Sequence, residues 1–255
     1  MWTDTHTHLF LPEFDNDRKD VVSRAVEAGV SRLFVPNVDD KTIDALLNFT
    51  NEYNNIAFPM VGFHPGSVRE DWQKRISFVN ELLEQRKFVA IGEIGIDLYW
   101  DENKKFEKEQ KEAFAYQIHL ANKNNLPIVI HTRSSMQVAL DVVNAVKPNK
   151  YGIFHCFSGS YEEAKKVIDK GFFLGIGGVV TFKNSNLPEI VKKVGVEHIV
   201  LETDSPFLTP VPHRGKRNES AYIPIIGKKV AEITQTPIGE VASITTRNSK
   251  SIFGV

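Results

Sequence analysis

Short apolar, β-branched runs alternate along this chain with longer stretches whose apolar residues recur every three to four positions. The runs at 2–8, 32–38, 56–63, 88–96, 128–132, 152–157, 172–180 and 198–202 read as strands. Between them the helical period dominates. In 20–30, Val21, Val22, Ala25, Val26 and Val30 form one stripe, and the same period recurs in 42–53, 71–86, 105–125, 136–146, 162–171 and 187–195. Gly29, Gly171 and Gly195 act as stop signals, and Pro127 and Pro148 follow two further helices. Strand–helix alternation predicts parallel strands joined by right-handed crossovers. Eight such units predict an α/β fold closed into a (β/α)8 TIM barrel, with an open doubly wound sheet as the competitor. Past the eighth run, 205–222 carries three prolines and a basic cluster, the composition of a rigid surface loop. Helical stretches at 225–234 and 237–253 are expected to cap or pack on the barrel. No repeat or low-complexity segment divides the chain, so 1–255 is expected to be a single domain.

Composition narrows the classes. A chain of 255 residues with 42% hydrophobic positions suits one barrel with a large core. The formal charge of −1 supplies no global basic field, so any contact with nucleic acid must be local. The single cysteine, Cys156, excludes an intrachain disulfide framework and suits a reducing compartment. No apolar run approaches the roughly 20 residues that span a bilayer, and the first ten residues show no secretory signal. A cytoplasmic monomer with no membrane partner is the expectation.

The candidate chemistry lies where the strand runs end. His6 and His8 follow the first, and residues i and i+2 of an extended segment share one side, so both rings reach one ion. Glu93 sits in an apolar, glycine-flanked run, where an unpaired carboxylate is costly. It reads either as a structural hydrogen-bond acceptor or as a bridge between two cations roughly 3.5–4 Å apart. His131 and His155 end the next two runs. Singly each would be an ordinary core histidine; together, after Glu93, they read as ligands. Asp204 closes the eighth run, beside His6 and His8 in a closed barrel, where it can bind metal and accept a proton from bound water. Glu202, two residues earlier, reads as a partner behind the ligands. Four imidazoles and two carboxylates converging on one barrel face specify a metal hydrolase with divalent Zn2+, Mg2+ or Mn2+. His64, Arg133, Lys183 and the cluster Arg214, Lys216 and Arg217 line the same rim. These cations read as a solvated surface or as a grip on phosphate oxygens. Phe10 and Trp100 read as packing residues or as stacking partners for bases. Cys156 is expected in the core.

The motifs DTHTHL, GFHPG, AIGEIGID, IVIHTRSS, GIFHCFSG, LETDSPFL and PVPHRGKRNE, in this order, resemble the TatD-type metal-dependent deoxyribonucleases of the amidohydrolase-like barrels, over essentially the whole length. The resemblance implies a barrel with two metal ions held at His6, His8, Glu93, His131, His155 and Asp204. It implies hydrolysis of phosphodiester bonds, often exonucleolytic, in DNA or short oligonucleotides. Phe10 and Ser134 stand where the family often has Asp, and Ser220 where it usually has Pro; none is a ligand position. A sister branch cleaves C–N bonds or lactones and often bridges its metals with a carboxylated lysine on the fourth strand. Here that strand offers Glu93 and no lysine beyond Lys87. A non-catalytic metal-binding or partner protein is the reading from another class.

Overall fold

A computed structural model describes residues 1–255, the side chain of Asp101 excepted. The strands are β1 Trp2–Asp4, β2 Val30–Pro36, β3 Ala57–Met60, β4 Ile91–Asp97, β5 Ile128–Arg133, β6 Ile153–Phe154, β7 Phe173–Ile176 and β8 Ile199–Leu201. Every paired neighbour runs parallel. The helices are α1 Arg18–Glu27, α2 Ile43–Glu52, α3 Trp72–Arg75, α4 Ser77–Gln85, α5 Asp101–Lys104, α6 Glu107–Asn124, α7 Met136–Val146, α8 Tyr161–Asp169, α9 Leu187–Val194, α10 Ile223–Thr234 and α11 Ile238–Phe253.

Strands β1–β3 and β4–β8 form two ladders, stitched into a closed (β/α)8 barrel by the bridges Val61–Ile91 and Thr7–Ser205. At the second seam the Thr5 N–H donates to the Leu201 carbonyl at 3.0 Å and the His8 N–H to the Ser205 carbonyl at 2.9 Å. Period-2 alternation separates two cores. Phe34, Met60, Ala90, Val129, Ile153 and Val200 point into the barrel and are plugged by Phe253 of α11. Their neighbours, such as Leu33, Val35, Ile128, Ile130, Phe154, Ile199 and Leu201, point outward and pack under the helices.

Several strands are shorter than their apolar runs. β1 stops at Asp4, so His6 and His8 lie beyond it; β6 keeps two residues, and the run after β7 becomes a 3-10 turn at Gly178–Thr181. β2 begins at Val30, which the helical stripe claimed. The predicted helix 71–86 divides at Ile76, a one-residue break that lets Trp72 and Val79 both reach the core. The stop signals hold: Gly29, Gly171 and Gly195 have φ of 85°, 90° and 78°. The 205–222 loop is tied down by Asn218, whose side chain donates to the Thr203 and Phe207 carbonyls at 2.8 and 2.6 Å.

Candidate metal centre

The ligand candidates occupy the next inward layer above the apolar plug. Two residues beyond inward Val129 stands His131; two beyond Ile153 stands His155; two beyond Val200 stands Glu202, then Asp204. Glu93 would break this rule without a bulge. Ile91 pairs with Ile128 and Ile94 with Ile130, so β4 carries one extra residue. That extra residue shifts the alternation. Ile91, Ile94 and Ile96 all pack outside, and Glu93 and Asp97 turn inward. Gly95, at φ 140°, cannot be replaced there: a Cβ would lie 2.1 Å from the His131 carbonyl oxygen. Asp204 itself has φ 56°, a left-handed backbone that Asp tolerates better than most residues.

Glu93 is the centre of the group. Its Oε2 faces His6 Nε2 at 3.2 Å and His8 Nε2 at 3.6 Å. Its Oε1 faces His131 Nδ1 at 2.8 Å, His155 Nε2 at 3.1 Å and His64 Nε2 at 3.3 Å. Asp204 Oδ1 closes the first set, 3.5 Å from His8 Nε2 and 3.8 Å from His6 Nε2. The Nε2 atoms of His6 and His8 lie 3.2 Å apart. Donors bound at about 2.0–2.1 Å to one ion, at angles of about 90–120°, are separated by about 2.8–3.6 Å, so most of these spacings fit a shared cation, the His6–Asp204 pair at 3.8 Å lying just outside. The donor set is chemically right as well: neutral imidazole and carboxylate suit zinc, and the carboxylates suit magnesium or manganese. All six sequence-predicted ligands are therefore brought together; His8, Glu93, His131, His155 and Asp204 line a cavity of about 320 Å³ with Leu11 and Phe207 at its apolar side, and His6 lies fully buried beneath it.

Electrostatics reflect this packing of like groups. Burial would raise the Glu93 carboxyl, but His155, His64, His6 and the hydrogen bond to His131 hold it well below the usual carboxylate range. Burial likewise opposes charge on His155, yet Glu93 and Glu202 lift it well above the ordinary histidine value. His131 is raised against burial by Asp97 and Glu93. His6 is lowered by burial and by its neighbour His155, stacked at 3.7 Å between ring centroids. Asp204 is lowered against burial by His8, His155 and His6.

His64 sits closer than a rim residue. Its Nδ1 accepts from the Gly66 N–H at 2.9 Å. In the neutral ring the proton is thereby on Nε2, which presents an N–H to Glu93 rather than a lone pair to a metal. Arg133 and Arg214 are not among the residues lining the cavity. The Arg133 guanidinium carbon lies over Tyr99, 3.7 Å from the ring centroid, and that of Arg214 over Phe182 at 3.9 Å. The basic cluster is not uniform: Arg217 bonds Asp17 at 2.6 Å and covers Phe14, so it is a structural residue. Phe10 is buried at 2% exposure against His8 and is no stacking surface. Cys156 is half-buried, not core, and its N–H donates to Glu202 Oε1 at 2.6 Å.

Two acids escaped the sequence reading. Asp97 Oδ2 lies 3.4 Å from His131 Nε2; its spacing of four from Glu93 along one strand was the available signal. Asp4 is fully buried, accepts from the Thr203 N–H, the Thr203 hydroxyl and the His6 N–H at 2.9, 2.6 and 3.3 Å, and is pushed by burial up to about 7. It joins the backbone beside His6 to that beside Asp204. Glu202, expected behind the ligands, has Oε1 3.2 Å from His155 Nδ1.

The sequence profile of the TatD-related DNase family matches residues 3–254. A Bacillus subtilis protein named an uncharacterized metal-dependent hydrolase, YabD, is 40% identical over all of both chains. A 3'-5' ssDNA/RNA exonuclease TatD of Erwinia tasmaniensis is 28% identical, covering 99% of each chain. The crystal structure of YJJV, a TatD homologue of Escherichia coli, superimposes with a TM-score of 0.91 at 28% identity, over 100% of this chain and 98% of that one.

Proposed function

The chain belongs to the TatD-related DNase family, and we propose that this metal-dependent hydrolase cleaves phosphodiester bonds at the 3' ends of DNA or short oligonucleotides. The observation that carries the reading is the division of Glu93. One oxygen faces His6 and His8, the other His131 and His155. A carboxylate so placed suits a pair of divalent cations, with Asp204 completing the first set. Two such ions, when bound, supply charge neutralisation at the scissile phosphate and a lowered water pKa.

The chain's own residues do the rest. Asp204 accepts the proton of the attacking water. Its side chain is 16% exposed, against 4% for Glu93 and 0% for Glu202, so it is the wettest carboxylate of the three. Glu93 positions both sets of histidines. His64, through its Nε2 N–H toward Glu93 Oε1, holds that carboxylate in place. Arg133 and Arg214, laid on aromatic rings, direct their N–H edges at the phosphates of the flanking chain.

The test is a hydrolysis screen of the metal-stripped protein reloaded with Zn2+, Mg2+ or Mn2+. The substrates are a 5'-labelled oligonucleotide, a phosphomonoester, an amide and a lactone. Stepwise loss of 3' nucleotides is expected. Turnover of the lactone or amide with an intact oligonucleotide overturns the reading.

A further inference from the structure

Trp100 is out of place as a packing residue. It is 57% exposed and its neighbour Tyr99 48%, whereas Trp72 is 6% exposed and Trp2 packs against the core. Tyr99 and Trp100 meet edge to face, with centroids 4.7 Å apart at 86°. The Arg133 guanidinium lies 3.7 Å from the Tyr99 centroid and 5.6 Å from that of Trp100. Its side chain forms no hydrogen bond or ion pair with the described residues, whereas Arg18, Arg24, Arg69, Arg75 and Arg217 all pair with carboxylates. An arginine stacked on a ring and left without a carboxylate keeps its N–H fork free.

This triplet adjoins the metal centre along two paired strands. Arg133 stands two residues beyond His131 and opposite Asp97 in the ladder; the Leu98 N–H donates to its carbonyl at 2.9 Å. Tyr99 follows Asp97 by two, its N–H donating to Asp97 Oδ1 at 2.9 Å, and Asp97 Oδ2 is 3.4 Å from His131 Nε2. A phosphate held at the metals and Arg133 therefore has an exposed indole within one nucleotide's reach. An unpaired base offers a free π face to such a ring, and a base inside a duplex does not.

We propose that Trp100, backed by Tyr99 and Arg133, is a stacking subsite for one unpaired nucleobase next to the scissile phosphate. This rests on the phosphodiesterase reading and adds the feature of the substrate that the site selects: a base free to stack, not only a diester.

The experiment compares the wild-type protein, Trp100→Ala and Trp100→Phe on two oligonucleotides of equal length. One is single-stranded DNA and the other carries tetrahydrofuran abasic residues throughout. Trp100→Ala is expected to raise KM on the DNA by about 5- to 150-fold, the worth of one base–aromatic stack, and Trp100→Phe to recover most of it. The wild-type protein and Trp100→Ala should converge on the abasic strand. Equal losses on both strands, or none on the DNA, overturn the subsite. A second readout is independent of turnover. Titrating the metal-free protein with the DNA should quench tryptophan emission, and Trp100→Phe should lose the quench while fluorescence anisotropy of a labelled DNA still reports binding. If no protein cleaves either strand with any metal, the phosphodiesterase reading alone falls. The quench then decides the subsite, its persistence in Trp100→Phe or its absence from the wild-type protein refuting it.

Discussion

Conservative substitutions separate the tasks that the residues of the centre combine. Asp204→Asn keeps the shape and one ligand oxygen but cannot take the proton from water. It should retain bound metal and lose about 10²–10⁴-fold in kcat, the usual worth of a general base. Metal content by mass spectrometry beside initial rates checks this, and near-normal rates with metal bound would move the base elsewhere. Proton linkage follows from the histidines. His131 and His155 titrate above the ordinary 6.5 when no metal is bound. Their charge stabilises the metal-free fold fully below 6.5, and that contribution is lost as pH rises through the raised values. Metal requires the neutral rings, so uptake at pH 7 should release protons and affinity should fall as pH falls. Calorimetry in two buffers of different ionisation enthalpy measures the release; identical heats would refute it. Ser220 donates to Thr7 Oγ1 at 3.3 Å, and Thr7 pairs with Ser205 at 2.6 Å behind His6 and His8. Ser220→Ala should cost about 0.5–1.5 kcal/mol in urea unfolding.

At the scale of elements, strand ends and a bulge aim the ligands. Without the extra residue of β4, Glu93 would face the helices with Ile91, because a one-residue slip turns a side chain to the other face. Strand β7 contributes an empty space. A Cβ on Gly175 would lie 2.3 Å from Glu202 Oε2 and 3.0 Å from the His155 Cα. Glycine there lets β8 bring its carboxylate under His155. Gly175→Ala should therefore destabilise by about 1–3 kcal/mol, as overpacking does, and weaken metal binding. Much of the stability loss should be relieved in the double variant with Glu202→Ala, which removes the carboxylate the new methyl meets. Denaturant midpoints of the four proteins form the cycle, and strict additivity would show that the two side chains do not compete for the space.

At the scale of the whole molecule, α11 closes the barrel far along the chain from the strands it plugs. Phe253 stacks on Phe34 with centroids 4.0 Å apart and joins inward residues of six different strand regions. Phe253→Ala should cost about 3–5 kcal/mol, the range for a deleted core aromatic, and lower Tm without changing the ligands of the opposite face. Thermal unfolding with and without added metal tests both parts. A small Tm change, or a selective loss of metal affinity, would mean that α11 is not the plug that holds the ladders together.

The order of elements was legible from periodicity alone, because alternation of β-branched runs with amphipathic stretches admits few topologies. The six ligand candidates were legible because imidazoles and carboxylates at the ends of apolar runs cannot be buried without partners. Local sequence also marked the stops at Gly29, Gly171 and Gly195. Three things depended on contacts between distant segments. The bulge that turns Glu93 inward is a property of the β4–β5 register, invisible in β4 by itself. The roles of Asp97 and Asp4 arise from which strand lies beside which, and each is defined by a partner at least 34 residues away in the chain: His131 for Asp97 and Thr203 for Asp4. The division of the cations was decided the same way. Arg217 is spent on Asp17, while Arg133 and Arg214 rest on rings. Residue type and spacing state what a side chain can do; pairing energy in the closed barrel decides which partner it meets.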